Sequence, residues 1–254
     1  MTKLLPFIQH QCSAPIWRME IDEPGHIIFL EIRNSQDKKV SFTAVDLTNG
    51  NINFEDIATP ERWLTGIEAA YDGMLLVHNY QSESGPAHKG LIAIDGISGQ
   101  TLWSNYTLGF DHLSVNGPVV YNVQIQPRKL VLAAIKTGLT LRAYQPVIDT
   151  EADNNIVAAQ LLPVEFLEHL PLPVVPYANT VHYIEYNNFR IVSLHTFLDE
   201  QLEQHLYILN HEGAVVYHDL LQCNIQKLQP EAFVVHKNKL IYLKNRSELI
   251  VLNL

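Results

Sequence analysis

The sequence has few cysteines, no long apolar run, few basic residues for its acids, and no stretch with convincing helical periodicity. Its two cysteines, Cys12 and Cys223, cannot build a disulfide framework. The opening MTKLLPFIQHQCSAPIWRME has no long apolar core with a small-residue cleavage site after it. Neither a signal peptide nor a membrane span is therefore read. The expected compartment is the reducing cytoplasm, with both thiols free. Lys and Arg number 17 against 27 Asp and Glu, a formal net charge of −10. The nearest thing to a basic cluster, Lys237, Lys239, Lys244 and Arg246, reads as a solvated face. That balance excludes nucleic acid and an anionic membrane surface as expected partners, because phosphate binding needs concentrated positive charge. A Gly-rich phosphate loop, a nucleophile elbow and a paired-His zinc helix are also missing.

What is present is apolar and strand-forming. Hydrophobic residues make up 47% of the 254 residues, enough to bury a large core. Leu91-Ile92-Ala93-Ile94 reads as a short strand, Asp95-Gly96-Ile97-Ser98-Gly99 as a turn, and Thr101-Leu102-Trp103 as the returning strand. Trp103 is expected to pack between sheets. The pattern recurs at Ser41–Phe54, and Asp46 and Asp95 are 49 residues apart. A further equal step lands on Tyr144, after Leu139-Thr140-Leu141-Arg142-Ala143. Leu206–Tyr217 is a fourth copy, and Glu248–Asn253 a fifth that stops without its return strand.

Repeats of roughly 40–50 residues, each with several short strands, predict an all-β fold, a β-propeller of five blades within one. One domain is expected over 1–254, with an irregular Pro-rich insertion around 146–180. The last blade is expected to be closed by the N-terminus, which would cover an exposed edge. Either Leu4–Ile8 closes it while Ile16–Asp22 opens the first blade, or Ile16–Asp22 is itself the missing strand. Further strands are read at His26–Ile32, Ile67–Tyr71, Met74–His78, Val119–Tyr121, Lys129–Ala134, Thr180–Tyr186, Arg190–Phe197, Ala232–His236 and Lys239–Leu243. Gln81–Lys89 and Asp199–Gln204 read as polar connections, Ala158–Leu162 as an outer strand, and Val164–His169 as one helical turn.

The Ala-x-Asp before a Gly turn and the Leu-Trp after it, in Leu91–Trp103, resemble the repeat of quinoprotein-like β-propellers; a WD-like repeat organisation fits the same spacing. The whole chain also resembles bacterial propeller proteins of similar size. The resemblance implies a fold. It covers blade hairpins, and no position matches a quinone ligand, so no cofactor is expected.

Candidate site residues are drawn from loops. Trp63, in Pro60-Glu61-Arg62-Trp63, is the tryptophan best placed for a sugar-binding platform. Asp111 and His112 enter the third unit and can reach an axial pocket; Glu231 and Glu68 stand near the starts of strands. Two such carboxylates about 5–9 Å apart would suit a glycosidase. The twelve histidines show no tight ligand spacing, with His205, His211 and His218 only bracketing strands, so no metal is expected. The favoured reading is a non-catalytic scaffold binding a partner protein or small ligand through loops of one face. The alternatives are a hydrolase and, behind it, a cofactor-dependent oxidoreductase.

Overall fold

The computed structural model describes residues 3–167 and 170–254. Among the described residues the chain is all-β, apart from one turn of 3-10 helix at Val164–Leu167. Its contacts divide it into two compact units. One spans Ser13–Asn154; the other joins the N-terminal residues up to Cys12 to Asn155–Leu254.

Strands are numbered in chain order, and β1 (Pro6–Gln11) belongs to the second unit. The first unit holds three four-stranded antiparallel sheets. In order, these are β2 (Ile16–Asp22), β3 (Ile27–Asn34), β4 (Lys39–Asp46) and β5 (Ile52–Ile57); then β6 (Thr65–Tyr71), β7 (Met74–Ser82), β8 (Gly85–Asp95) and β9 (Thr101–Asn105); then β10 (Leu108–Ser114), β11 (Gly117–Asn122), β12 (Val131–Ala133) and β13 (Thr140–Ala143). The second unit continues with β14 (Ile156–Ala158), β15 (Gln160–Pro163), β16 (Thr180–Tyr186), β17 (Phe189–Leu198), β18 (Gln201–Leu209), β19 (Val215–Gln222), β20 (Phe233–His236), β21 (Lys239–Lys244) and β22 (Glu248–Asn253). These form two five-stranded sheets, β15-β16-β17-β18-β19 and β1-β22-β21-β20-β14.

One turn recurs between the last two strands of four sheets or their equivalents. Asp46 and Asp95 each cap their own turn: Thr48 N–H donates to Asp46 Oδ1 at 2.6 Å, and Ser98 N–H to Asp95 Oδ1 at 2.7 Å. Gly50 and Gly99 close the loops with N–H bonds to the carbonyls of Asp46 and Asp95. Both have φ near the left-handed region, at 79° and 71°, where a side chain is strained. The third copy lies at Ala134–Gly138, where Gly138 N–H bonds Ala134 O and φ is 70°. The 49-residue step to Tyr144 is therefore incorrect. Ala134 stands where the carboxylate is expected, so the residue that made the other copies visible is missing. The fourth copy, at Asn210–Gly213, uses the Asn210 side-chain oxygen as the Asp copies use theirs.

Apolar faces stack sheet on sheet within each unit. Phe29, Phe42, Ile67, Leu75 and Ile92 join the first sheet to the second. Met74, Leu76, Ala93 and Ile135, with Trp103 and Phe110 beside them, join the second to the third. Trp103 is interior packing as expected, and its Nε1–H bonds Ile135 O at 2.7 Å. In the second unit, Ile191, Leu206, Val235, Tyr242 and Ile250 form the shared core. Each such side chain contributes roughly 1.5–3 kcal/mol by leaving water.

One open N-terminal alternative is resolved by the pairing, and three connections differ from expectation. β1 pairs with β22, Gln9 opposite Ile250 and Gln11 opposite Glu248, while β2 pairs with β3. Of the two N-terminal strands, it is β1 and not β2 that pairs with the C-terminal strand. Gln81–Lys89 is largely strand rather than loop: β7 and β8 stay paired out to Ser82 and Gly85. Polar side chains signal exposure there, and an exposed hairpin satisfies its backbone as well as a loop does. Asp199–Gln204 is also mostly strand, because Asp199 and Glu200, both at positive φ, make a two-residue turn on their own. The strand expected at Ala158–Leu162 is two strands on the edges of different sheets, β14 against β20 and β15 against β16. The Pro-rich segment after it has a packing role. Leu170, Leu172 and Val174 lie over Val181, Val192, Leu194 and Tyr207, covering an apolar sheet face without adding a strand. The helical turn spans Val164–Leu167, and the rest of the expected turn lies outside the described residues.

Candidate ligand pocket and histidine cluster

The first unit carries a hollow of about 320 Å³ lined by Trp17, Arg33, Trp63, Leu64, Tyr80 and Ser82, with Glu83 and Gly85 at its edge. Arg33, near the end of β3, organises it. Its Nε donates to Glu31 Oε1 at 2.6 Å and its Nη2 to Thr65 O at 2.7 Å. The Glu31 side chain is only 2% exposed. A carboxylate that deep must be paired, and its second oxygen accepts the Ile67 N–H at 2.8 Å. The fixed guanidinium lies 5.7 Å from the Trp17 ring centre and 5.4 Å from that of Trp63, within cation–π range of both.

Local bonding holds Trp63 there. Glu61 Oε1 accepts the N–H groups of Trp63 and Leu64, and Glu61 O accepts the Thr59 hydroxyl. The loop is tied to both neighbouring sheets by Val40 N–H to Arg62 O and Tyr80 N–H to Leu64 O. Trp17, on β2, is 73% exposed. Trp103 is wedged against the next sheet, whereas Trp17 faces solvent over Arg33.

Beside the hollow, three neighbouring strands of the second sheet bring Glu68, His78 and His88 together, with one donor atom from each within 4.8 Å of the others. Glu68 Oε2 lies 2.9 Å from His88 Nδ1 and 3.0 Å from His78 Nδ1. Only the contact with His88 is aligned as a hydrogen bond. The two rings stack, centres 3.5 Å apart and planes 9° apart, and Tyr80 meets both edge-on. A bulge in β6 between Ile67 and Ala69 sets Glu68, and Gly66 opposite His78 leaves room for the ring, since a Cβ there would lie 3.3 Å from His78 Cε1. His78 is 1% exposed, and neither ring nitrogen has a hydrogen-bond partner among the described residues. Leaving such atoms unsatisfied costs about 1–3 kcal/mol each. Arg18 donates to the carbonyls of Ile67 and Glu68 and to Glu20. Burial pushes the Glu20 carboxyl up, Arg18 pulls it back, and Glu68 raises it further.

The expected site residues lie on three separate stretches of chain. Trp63 lines the hollow. Asp111 and His112 are on β10, where they bond one another at 2.8 Å, and His112 packs edge-on to Tyr144. Glu231 is exposed in the second unit, and its carbonyl accepts from Gln204. No metal cluster was expected from the histidine spacing, and that reading missed the Glu68, His78 and His88 group. Spacing along the chain cannot show it, because adjacent strands supply one residue each and His88 falls in the segment read as a loop. In the second unit His205 and His218 pair across β18 and β19 at 3.2 Å, with Thr196 and Glu203 on the other His205 nitrogen. That group is satisfied internally.

Residues 21–103 match the family model described as a domain of unknown function (DUF4905), a stretch of less than half the chain that contains Arg33, Trp63 and the histidine cluster. No curated protein matches significantly. Among solved structures, the chain is similar to BamB from Moraxella catarrhalis, at 12% identity and a TM-score of 0.35, over 93% of this chain and 84% of that one. It is similar to a member of the duf4221 family from Bacteroides vulgatus, at 9% identity and a TM-score of 0.33, over 99% and 94% of the two chains. Raptor from Chaetomium thermophilum is matched at 10% identity and a TM-score of 0.38, over 99% of this chain but 29% of that one.

Proposed function

We propose that the chain is a non-catalytic β-propeller scaffold, its five sheets acting as blades, that binds a small carbohydrate-class ligand in the hollow beside Trp17. The pairing of β1 with β22 and the recurring turn support the propeller reading. One observation carries the ligand reading: a tryptophan ring 73% exposed, next to a second tryptophan and a guanidinium held in place by a buried carboxylate. Exposed aromatic faces accept the apolar face of a sugar ring, while Arg33, Ser82 and Glu83 offer hydrogen bonds to hydroxyls. With two cysteines and no disulfide between them, the location that goes with this reading is a reducing compartment such as the cytoplasm.

A hydrolase is the second reading. It is favoured by the Arg18 bridge, which donates to the Glu20 carboxylate and to the Glu68 carbonyl, with burial raising the Glu20 carboxyl against the pull of Arg18.

A glycan panel followed by calorimetry on its hits tests the proposal. At least one saccharide should bind the wild type, with Trp17→Ala and Trp63→Ala each weakening it about tenfold or more. Binding that both variants leave intact would place the ligand elsewhere. Release of reducing sugar, abolished by Glu20→Gln, would favour the hydrolase.

A further inference from the structure

We infer that Glu68, His78 and His88 form a binding site for one divalent transition-metal ion of the zinc class. This assignment stands whatever the neighbouring hollow binds. Three donor atoms from three adjacent strands converge within 4.8 Å. Such spacing alone is compatible with a hydrogen-bonded cluster, in which a proton sits between the carboxylate and one imidazole. Here the cluster is incomplete: Glu68 makes its aligned bond to His88, and both nitrogens of the buried His78 stay unsatisfied among the described residues. An ion that takes Nδ1 of both rings and Oε2 of Glu68 satisfies His78 Nδ1 and the carboxylate together.

Two imidazoles and one carboxylate are a donor set for Zn²⁺, Co²⁺, Ni²⁺ or Cu²⁺ rather than Ca²⁺ or Mg²⁺, which take oxygen ligands. Three protein ligands leave a fourth tetrahedral position for water or an exogenous group. The stack sets one requirement. Parallel rings 3.5 Å apart cannot both aim in-plane lone pairs at one ion, so one ring must turn on loading. His88 is the ring free to do so, with 36% of its side chain exposed against 2% for His78. Gly90, at positive φ beside the irregular pairing of His78 and Asn79 with Leu91 and Lys89, lets β8 carry His88 over His78.

The test uses the full chain stripped with EDTA and then titrated with ZnCl₂ by calorimetry and with CoCl₂ by visible absorption. Expected are one Zn²⁺ per chain, with a Kd of about 1 µM or tighter, and a Co²⁺ spectrum of four-coordinate intensity. His88→Ala and Glu68→Gln should each weaken Zn²⁺ at least tenfold while the far-ultraviolet circular dichroism is unchanged. X-ray absorption of the Zn-loaded wild type should count two imidazoles, a readout that does not depend on any variant folding. No stoichiometric binding, fewer than two imidazoles, or equal affinity in both folded variants overturns the assignment.

Discussion

The backbone N–H of Gln229 donates to Nε2 of His195 at 3.0 Å. A nitrogen that accepts carries no proton, so His195 is neutral with its hydrogen on Nδ1. Burial, with His182 and His205 close by, lowers its pKa to about 4. Between the ordinary histidine value and that point the unfolded chain binds a proton that the folded one refuses. Stability from this group is thus fully present above about pH 6.5 and is lost as pH falls toward 4. Chemical denaturation across that range should show a fall of about 1–3 kcal/mol from this residue, reduced in His195→Gln. A His195 ring proton that titrates near 6.5 by NMR would contradict this.

Tyr242, almost wholly buried, donates its hydroxyl to Asp219 Oδ2 at 2.7 Å and lies 2.7 Å from the Tyr217 hydroxyl. With its hydrogen directed at the carboxylate, it accepts from Tyr217. Lys244 donates to the other Asp219 oxygen. Burial first, then these hydrogen bonds, push the Tyr242 pKa well above the phenol value. Tyr242→Phe removes a partner from both neighbours and should cost about 1–3 kcal/mol. Tyr217→Phe leaves Tyr242 bonded to Asp219 and should cost about half as much or less. Urea midpoints of the two variants, compared in one buffer, decide the order.

Gly138 combines a positive φ with close packing: a Cβ there would fall 2.7 Å from the Trp103 ring. Gly73 has a similar φ but nothing within 4 Å of its Cβ position. Gly73→Ala should therefore cost about 1 kcal/mol of backbone strain, and Gly138→Ala about 1–3 kcal/mol more through displacement of Trp103. Equal thermal shifts in the two variants would remove the packing contribution.

The sequence by itself determined the strands and the turns, because both are local. Alternating apolar residues bounded by Asp, Asn and Gly place Thr180–Tyr186 and Ile16–Asp22 with their observed boundaries. A carboxylate that caps its own turn marks Asp46 and Asp95 in the sequence as plainly as in three dimensions. Where the capping residue is Ala134, the local signal vanishes although the turn persists.

Only the tertiary structure decided which residues act together. Trp17, Arg33 and Trp63 come from two strands and a loop, and the pairing of Glu31 with Arg33 and with the Ile67 N–H places the guanidinium between the rings. Glu68, His78 and His88 meet because β6, β7 and β8 lie side by side, with a bulge at Glu68, a non-local alignment that no spacing along the chain encodes. Strand-forming preference acts over a few residues. The choice of neighbour is made by apolar faces seeking cover across the whole unit.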